Sequence, residues 1–231
     1  MSAVAPSTSR AATGRNLAAL AARAWKVHVS GAGLVPLDGP VLLAANHTGF
    51  LDGFVLAAAS PRPVHVLASS ELFAAPLDRL LRGTGQIPID NDVPDRSAMR
   101  VAAAVLDQGG SVGVFPEVQR GAGDVRHVRH GAAYLAARTS ALVVPVAILG
   151  TRPRGAGRDA LPKLRSRIEV VMGAPVDVRV DGDLRRRAVV ARSGERLRQV
   201  LADHVRDACA RTGLDLPGPL PVHTHRTRSD S

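Results

Sequence analysis

Short β-branched runs alternating with longer segments of helical period constrain this chain more than any other feature. Residues 41–45, 64–67, 86–89, 111–115, 142–149 and 168–172 read as strands. Residues 52–59, 76–82, 95–106, 131–138 and 193–212 repeat their apolar positions at helical spacing. Strand–helix alternation of this kind predicts an α/β domain with a largely parallel central sheet flanked by helices. A chain of 231 residues is long enough to bury one proper core. The expected single domain covers residues 10–216, with no internal repeat. Residues 1–9, small and polar, and residues 217–231, rich in Pro, His and Arg, lack an apolar period and are expected to be disordered.

Composition narrows the partners. The lone cysteine, Cys209, permits no internal disulfide and argues against a cysteine metal site, as expected for a reducing cytoplasm. Arg10, Arg15 and Arg23 interrupt every amino-terminal apolar stretch, so no secretory signal is read there. No segment reaches the roughly 18 uninterrupted apolar residues of a membrane span. The formal net charge is +10, which attracts nucleic acid, anionic lipid headgroups or phosphorylated substrates. Four Phe, one Tyr and one Trp leave little for base stacking, and no nucleic-acid motif is visible. Nucleic acid is therefore not expected as the partner.

The first helix is expected over residues 10–27, with Leu17, Leu20, Ala21, Ala24 and Val27 on one side and Arg15, Arg23 and Lys26 opposite. Two readings stay open. A basic amphipathic helix can lie in a membrane interface with Trp25 near the headgroups, or it can pack on its own domain.

Chemistry concentrates in Ala45-Asn46-His47-Thr48-Gly49-Phe50-Leu51-Asp52, between an apolar run and a helical pattern. His47 then sits in a strand-to-helix turn, with Gly49 permitting the bend, and Asp52 in the first helical turn. A carboxylate there is favoured in its ionised form by the helix dipole. From that place Asp52 can hold the Nδ1–H of His47 and leave Nε2 to take a proton from a hydroxyl. By itself the spacing reads equally as a pair of turn caps. No Ser or Cys stands in a nucleophile elbow, so a covalent mechanism has no candidate.

The motif resembles the first block of the glycerolipid acyltransferase family, to which the lysophosphatidate acyltransferases belong. Three more blocks follow in that family's order: Gly85-Gln86-Ile87-Pro88-Ile89-Asp90-Asn91, Val114-Phe115-Pro116-Glu117-Val118-Gln119-Arg120 and Val143-Val144-Pro145-Val146-Ala147-Ile148. Arg129-His130-Gly131-Ala132-Ala133 resembles the family's basic-Gly-Ala helix start. Four ordered blocks over about residues 25–178 are far more specific than one. The resemblance implies that His47 is the general base and that Asp52 orients it. It further implies that Asn91, Glu117 and Arg120 contact the acceptor, and that Pro145 shapes the acyl site. The implied reaction moves an acyl group from acyl-CoA or acyl carrier protein to a lysophospholipid, 1-acylglycerol-3-phosphate foremost. No metal or redox cofactor is implied.

The resemblance breaks at two points. Asn91 stands where the family usually has Arg, and Val118-Gln119 where it has Gly-Thr. Asn cannot imitate the charged fork that Arg offers a phosphate. Arg120, Arg96 or residues 126–130 then become candidates to hold it. The same departures motivate the alternatives of a glycolipid or lipoamino acid acceptor, or a non-catalytic lipid-binding relative. A basic stretch from Arg152 to Arg167 and the run Arg185-Arg186-Arg187 meet either phosphates or only water. The protein is expected in the cytoplasm, held at the inner face of an anionic membrane.

Overall fold

The structure, a computed structural model, describes residues 4–74, 77–117 and 119–221. Val118, one of the two departures, lies outside the described residues, as does the tail from 222 to 231.

Seven strands among the described residues form one sheet: β1 (Lys26–Ser30), β2 (Val41–Ala45), β3 (His65–Ser69), β4 (Ile87–Ile89), β5 (Ser111–Val114), β6 (Leu142–Leu149) and β7 (Arg167–Met172). Their spatial order is β1-β7-β6-β2-β5-β3-β4. From β6 to β4 the neighbours run parallel, as expected. At the other end β7 runs antiparallel to β6 and carries β1 parallel to itself.

The central strands are apolar on both sides because both faces are covered. Behind one face lie α1 (Thr8–Ala22) and α2 (Asp52–Ala59), packed with Val41, Leu43, Val144 and Ile148. Behind the other lie α4 (Arg96–Asp107) and α5 (Gly131–Thr139), packed with Leu42, Val112 and Val143. There α6 (Arg187–Thr212) covers Ala147, Leu149 and Val171. A short α3 (Leu77–Gly83) stands beside α1. The carboxylate of Asp95 caps α4 by accepting the main-chain N–H groups of Ser97 and Ala98 at 2.9 Å each.

Three expectations are corrected. The first helix starts earlier, at Thr8, and stops at Ala22, where a tight turn leads into β1. Lys26 and Val27 therefore belong to a strand. Within α1 the buried residues are Ala11, Gly14, Ala18 and Ala22, while Leu17 and Leu20 are 45% and 60% exposed. Trp25 is pinned by a hydrogen bond from Nε1 to the Pro162 carbonyl at 3.2 Å and is half-buried. Lastly, the segment expected to lose order covers residues 217–231, and its described start, 217–221, lies against the domain. Pro217 is buried, and its carbonyl accepts the Gly155 N–H at 3.3 Å.

Pro145 sits in a central strand, not at an edge. It occupies the point where the chain beyond β7 draws away between the Gly173 N–H bond to the Pro145 carbonyl and the Val143–Val176 bridge. A residue without N–H costs no ladder bond at such a gap.

Candidate active site

Three adjacent parallel strands, β6, β2 and β5, end side by side, and the site forms beyond their carboxyl ends. That is where open α/β sheets place ligands. Asn46 extends β2 with its side chain. Its amide nitrogen donates to the Ile148 carbonyl at 3.1 Å, and its oxygen accepts the Ile148 N–H at 2.7 Å. This fixes where the chain leaves the sheet, and the next residue is His47.

Asp52 is fully buried and saturated with donors. Its Oδ2 accepts from His47 Nδ1 at 2.8 Å, from the Thr48 N–H at 2.6 Å and from the Gly49 N–H at 2.8 Å. Its Oδ1 accepts the Thr151 hydroxyl, which also meets the Thr48 hydroxyl at 3.0 Å. An oxygen that already accepts two main-chain N–H groups can only be an acceptor toward His47, so Nδ1 carries the ring proton. The lone pair is then on Nε2. The His47 ring stacks on Phe115 at 4.3 Å between centroids, which sets its plane.

Gly49 matters here through close approach. A Cβ at this position would lie 2.8 Å from the Thr151 carbonyl oxygen, so the His47–Asp52 turn presses directly on the chain just past β6.

Glu117 lies behind His47. Its Oε2 accepts the His47 N–H at 2.8 Å and its Oε1 accepts the Val125 N–H at 3.2 Å. Burial pushes its carboxyl up to about 7; the two N–H groups oppose that push, while Asp124 and Asp52 add to it. The Gly121 N–H donates to the His47 carbonyl at 3.0 Å, so the His47 peptide groups are gripped from both sides.

His47 opens onto a mostly apolar cavity of about 1350 Å³ that Leu17, Phe54, Leu67 and Leu80 help line. Asn91 and Arg120 lie on its wall as well, whereas Glu117 and Pro145 do not. Arg120 packs its guanidinium 5.5 Å from the Phe50 ring centre and pairs with Asp159. The Asn91 carbonyl accepts Arg129 Nη1 at 2.6 Å, so a guanidinium stands beside the position where the family carries its arginine. Of the other phosphate candidates, Arg96 lines the cavity and Arg126 is paired with Asp124 at 2.7 Å. Sequence alone did not single out Thr151, which donates to Asp52, or the Arg152 bond to the Thr48 carbonyl. Both lie just past the end of β6, the strand that neighbours β2, and only that adjacency marks them.

An imidazole with one nitrogen held by a buried carboxylate and the other left for an apolar cavity is the equipment of an enzyme that removes a proton from a partly apolar substrate. The family model described as Acyltransferase matches residues 26–149, more than half of the chain. The chain belongs to the glycerolipid acyltransferase family and is an acyltransferase.

It is 27% identical over 144 residues to the 1-acyl-sn-glycerol-3-phosphate acyltransferase of Bacillus subtilis, a match covering 62% of this chain and 69% of that enzyme. It is also 27% identical over 130 residues to the Borreliella burgdorferi enzyme of the same name, covering 54% of this chain and about half of that one, 52%. The crystal structure of the 1-acyl-sn-glycerophosphate acyltransferase PlsC from Thermotoga maritima superimposes with a TM-score of 0.61, over 89% of this chain and 78% of that one. At 20% identity that likeness speaks to the fold.

Proposed function

We propose that this acyltransferase moves a fatty acyl group from acyl-CoA or acyl carrier protein to the hydroxyl of a lysophospholipid, 1-acylglycerol-3-phosphate foremost, in phospholipid biosynthesis. The observation that carries the proposal is the 2.8 Å bond from His47 Nδ1 to buried Asp52 beside an apolar cavity. Nε2 takes the hydroxyl proton as the oxygen bonds to the thioester carbonyl carbon. The tetrahedral oxyanion then collapses, the C–S bond breaks, and the leaving thiolate recovers the proton from Nε2. No acyl-enzyme intervenes, and the chemistry calls for neither metal nor redox cofactor.

Asn91 and Arg120, with Arg129 beside them, are the proposed acceptor contacts, while Glu117 acts on the His47 main chain. Arg120 is already paired with Asp159, and Asn91 is uncharged. These two observations favour, as a second reading, a lipid acceptor without phosphate, such as a glycolipid or lipoamino acid.

The test is acyl transfer from radiolabelled acyl-CoA to a panel of acceptors that includes lysophosphatidate. With the preferred acceptor, His47→Ala should lose about 10²–10⁴-fold in kcat while remaining folded. Asp52→Asn should be severely impaired too, because an amide cannot fix the required tautomer. Near-normal turnover by folded His47→Ala would end the mechanism.

A further inference from the structure

The basic stretch after β6 begins with a side chain that water hardly reaches. Arg152 is 2% exposed. Its Nε donates to the Thr48 carbonyl at 2.9 Å and its Nη1 to the Ala156 carbonyl at 2.6 Å. Its Nη2 donates to the carbonyls of Gly121 at 2.9 Å and Gly218 at 2.6 Å. One guanidinium thus ties together the catalytic turn, the turn after Glu117, the loop after β6 and the segment after α6.

Two of these bonds bear on the base. The Thr48 carbonyl belongs to the residue after His47. Gly121, whose oxygen Arg152 holds, uses its own N–H to hold the His47 carbonyl. The charge has a local counterpart as well: burial pulls the Arg152 guanidinium below its ordinary pKa, and the negative charge of Asp52 works against that pull. Arginine remains charged even so. A loop staple could be made from neutral amides; a desolvated cation bonded to the Thr48 carbonyl, whose own N–H is held by Asp52, adds charge to that geometry.

We infer that Arg152 is a positioning residue for the His47–Asp52 pair: its fork holds the catalytic turn in register with the β6 end and the Gly218 segment, and its charge offsets the buried Asp52 carboxylate. The inference rests on His47 as the base. The charged groups facing His47 and Asp52 are then Glu117, with Asp124 behind it, Arg152, and Arg120 on the cavity wall.

Arg152→Met keeps the stem and removes fork and charge. With palmitoyl-CoA and lysophosphatidate as probes, kcat should fall about tenfold or more, with both KM values changed by less than about threefold. Loss of a nearby positive charge makes the imidazole a stronger base. The acid limb of the kcat/KM profile should therefore move to higher pH. Arg152→Lys keeps the charge without the fork, so its acid limb should stay in place while kcat remains reduced.

The His47 ring titration, followed by NMR on ring-labelled histidine and assigned with His47→Gln, should show the same shift without substrate. A folded Arg152→Met protein with unchanged kcat and an unmoved His47 titration would overturn the inference. Were that variant to unfold, Arg152→Lys decides, and wild-type kcat there overturns it equally. Absence of turnover with lysophosphatidate in the wild type would count against the acceptor reading, and the substrate-free titration would still judge Arg152.

Discussion

Glu117 holds the main chain of the proposed base, His47, from behind the cavity. Its carboxyl sits at about 7 in the folded chain against an ordinary 4.5. Between those values the folded state holds more protons than the unfolded one, so stability should fall as pH rises through the window. The fall should be on the order of 3 kcal/mol at most and level off above it. Urea unfolding at pH 5 and at pH 8 measures this, and Glu117→Gln should flatten the difference. An equally flat wild type would mean that Glu117 ionises in the fold as freely as in the unfolded chain.

Asn91 offers a second residue-level test. A charged hydrogen bond to phosphate is worth about 1.5–3 kcal/mol. Asn91→Arg should accordingly lower KM for lysophosphatidate more than it raises kcat, as uniform binding energy does. No change in KM would point to Arg129 or Arg120 as the phosphate contact. At this scale the sequence disclosed what is local. His47 and Asp52 lie five positions apart, and their partnership is legible from the turn they share. Glu117, Thr151 and Arg152 reach the same turn across 70, 99 and 104 positions, where periodicity and capping signals say nothing.

Among the elements, α1 separates what packs from what looks as though it should. Ala11, Gly14, Ala18 and Ala22 let the helix lie flush on its neighbours, and a Cβ at Gly14 would stand 2.7 Å from the Thr84 Cβ. Gly14→Leu should therefore cost about 1–3 kcal/mol of stability by overpacking, read from the urea midpoint. Leu17→Ser with Leu20→Ser should leave that midpoint within about 1 kcal/mol, since both side chains are largely exposed. A reading by apolar period puts the leucines on the contact side, because it weighs hydrophobicity and ignores how closely two backbones approach. β1 was illegible for a related reason. Only Val27 of its five residues is partly covered, so no alternation betrays an edge strand, and Lys26 and Val27 prolong the helical pattern before it. The reversed direction of β7 left no mark in its own composition, since the strand is buried on both faces.

Over the whole molecule, the net charge of +10 is joined to exposed leucines at the cavity, Leu17 from α1 with Leu77 and Leu80 from α3, and to Leu20, exposed on the same helix as Leu17. No helix among the described residues is long and apolar enough to cross a membrane. If charge and rim act together, the protein should sediment with anionic vesicles and be released near 1 M salt, where the Debye length is about 3 Å. The Leu17→Ser, Leu20→Ser protein should bind them more weakly. Equal affinity for neutral vesicles would show that charge is not the anchor.

The sheet order also has a meaning in time. β1 is synthesised early, yet its neighbour is β7, with Lys26 opposite Arg167. Pairings so distant in sequence close late and slowly. His47 is likewise made early, but Asp52 lacks its Thr151 hydroxyl, and the turn its Arg152 fork, until the strands beside them are complete. A nascent chain can thus carry the whole His-x4-Asp motif and still lack the contacts that align the proposed base, so the proposed competence arrives with the long-range contacts of folding and not with the motif.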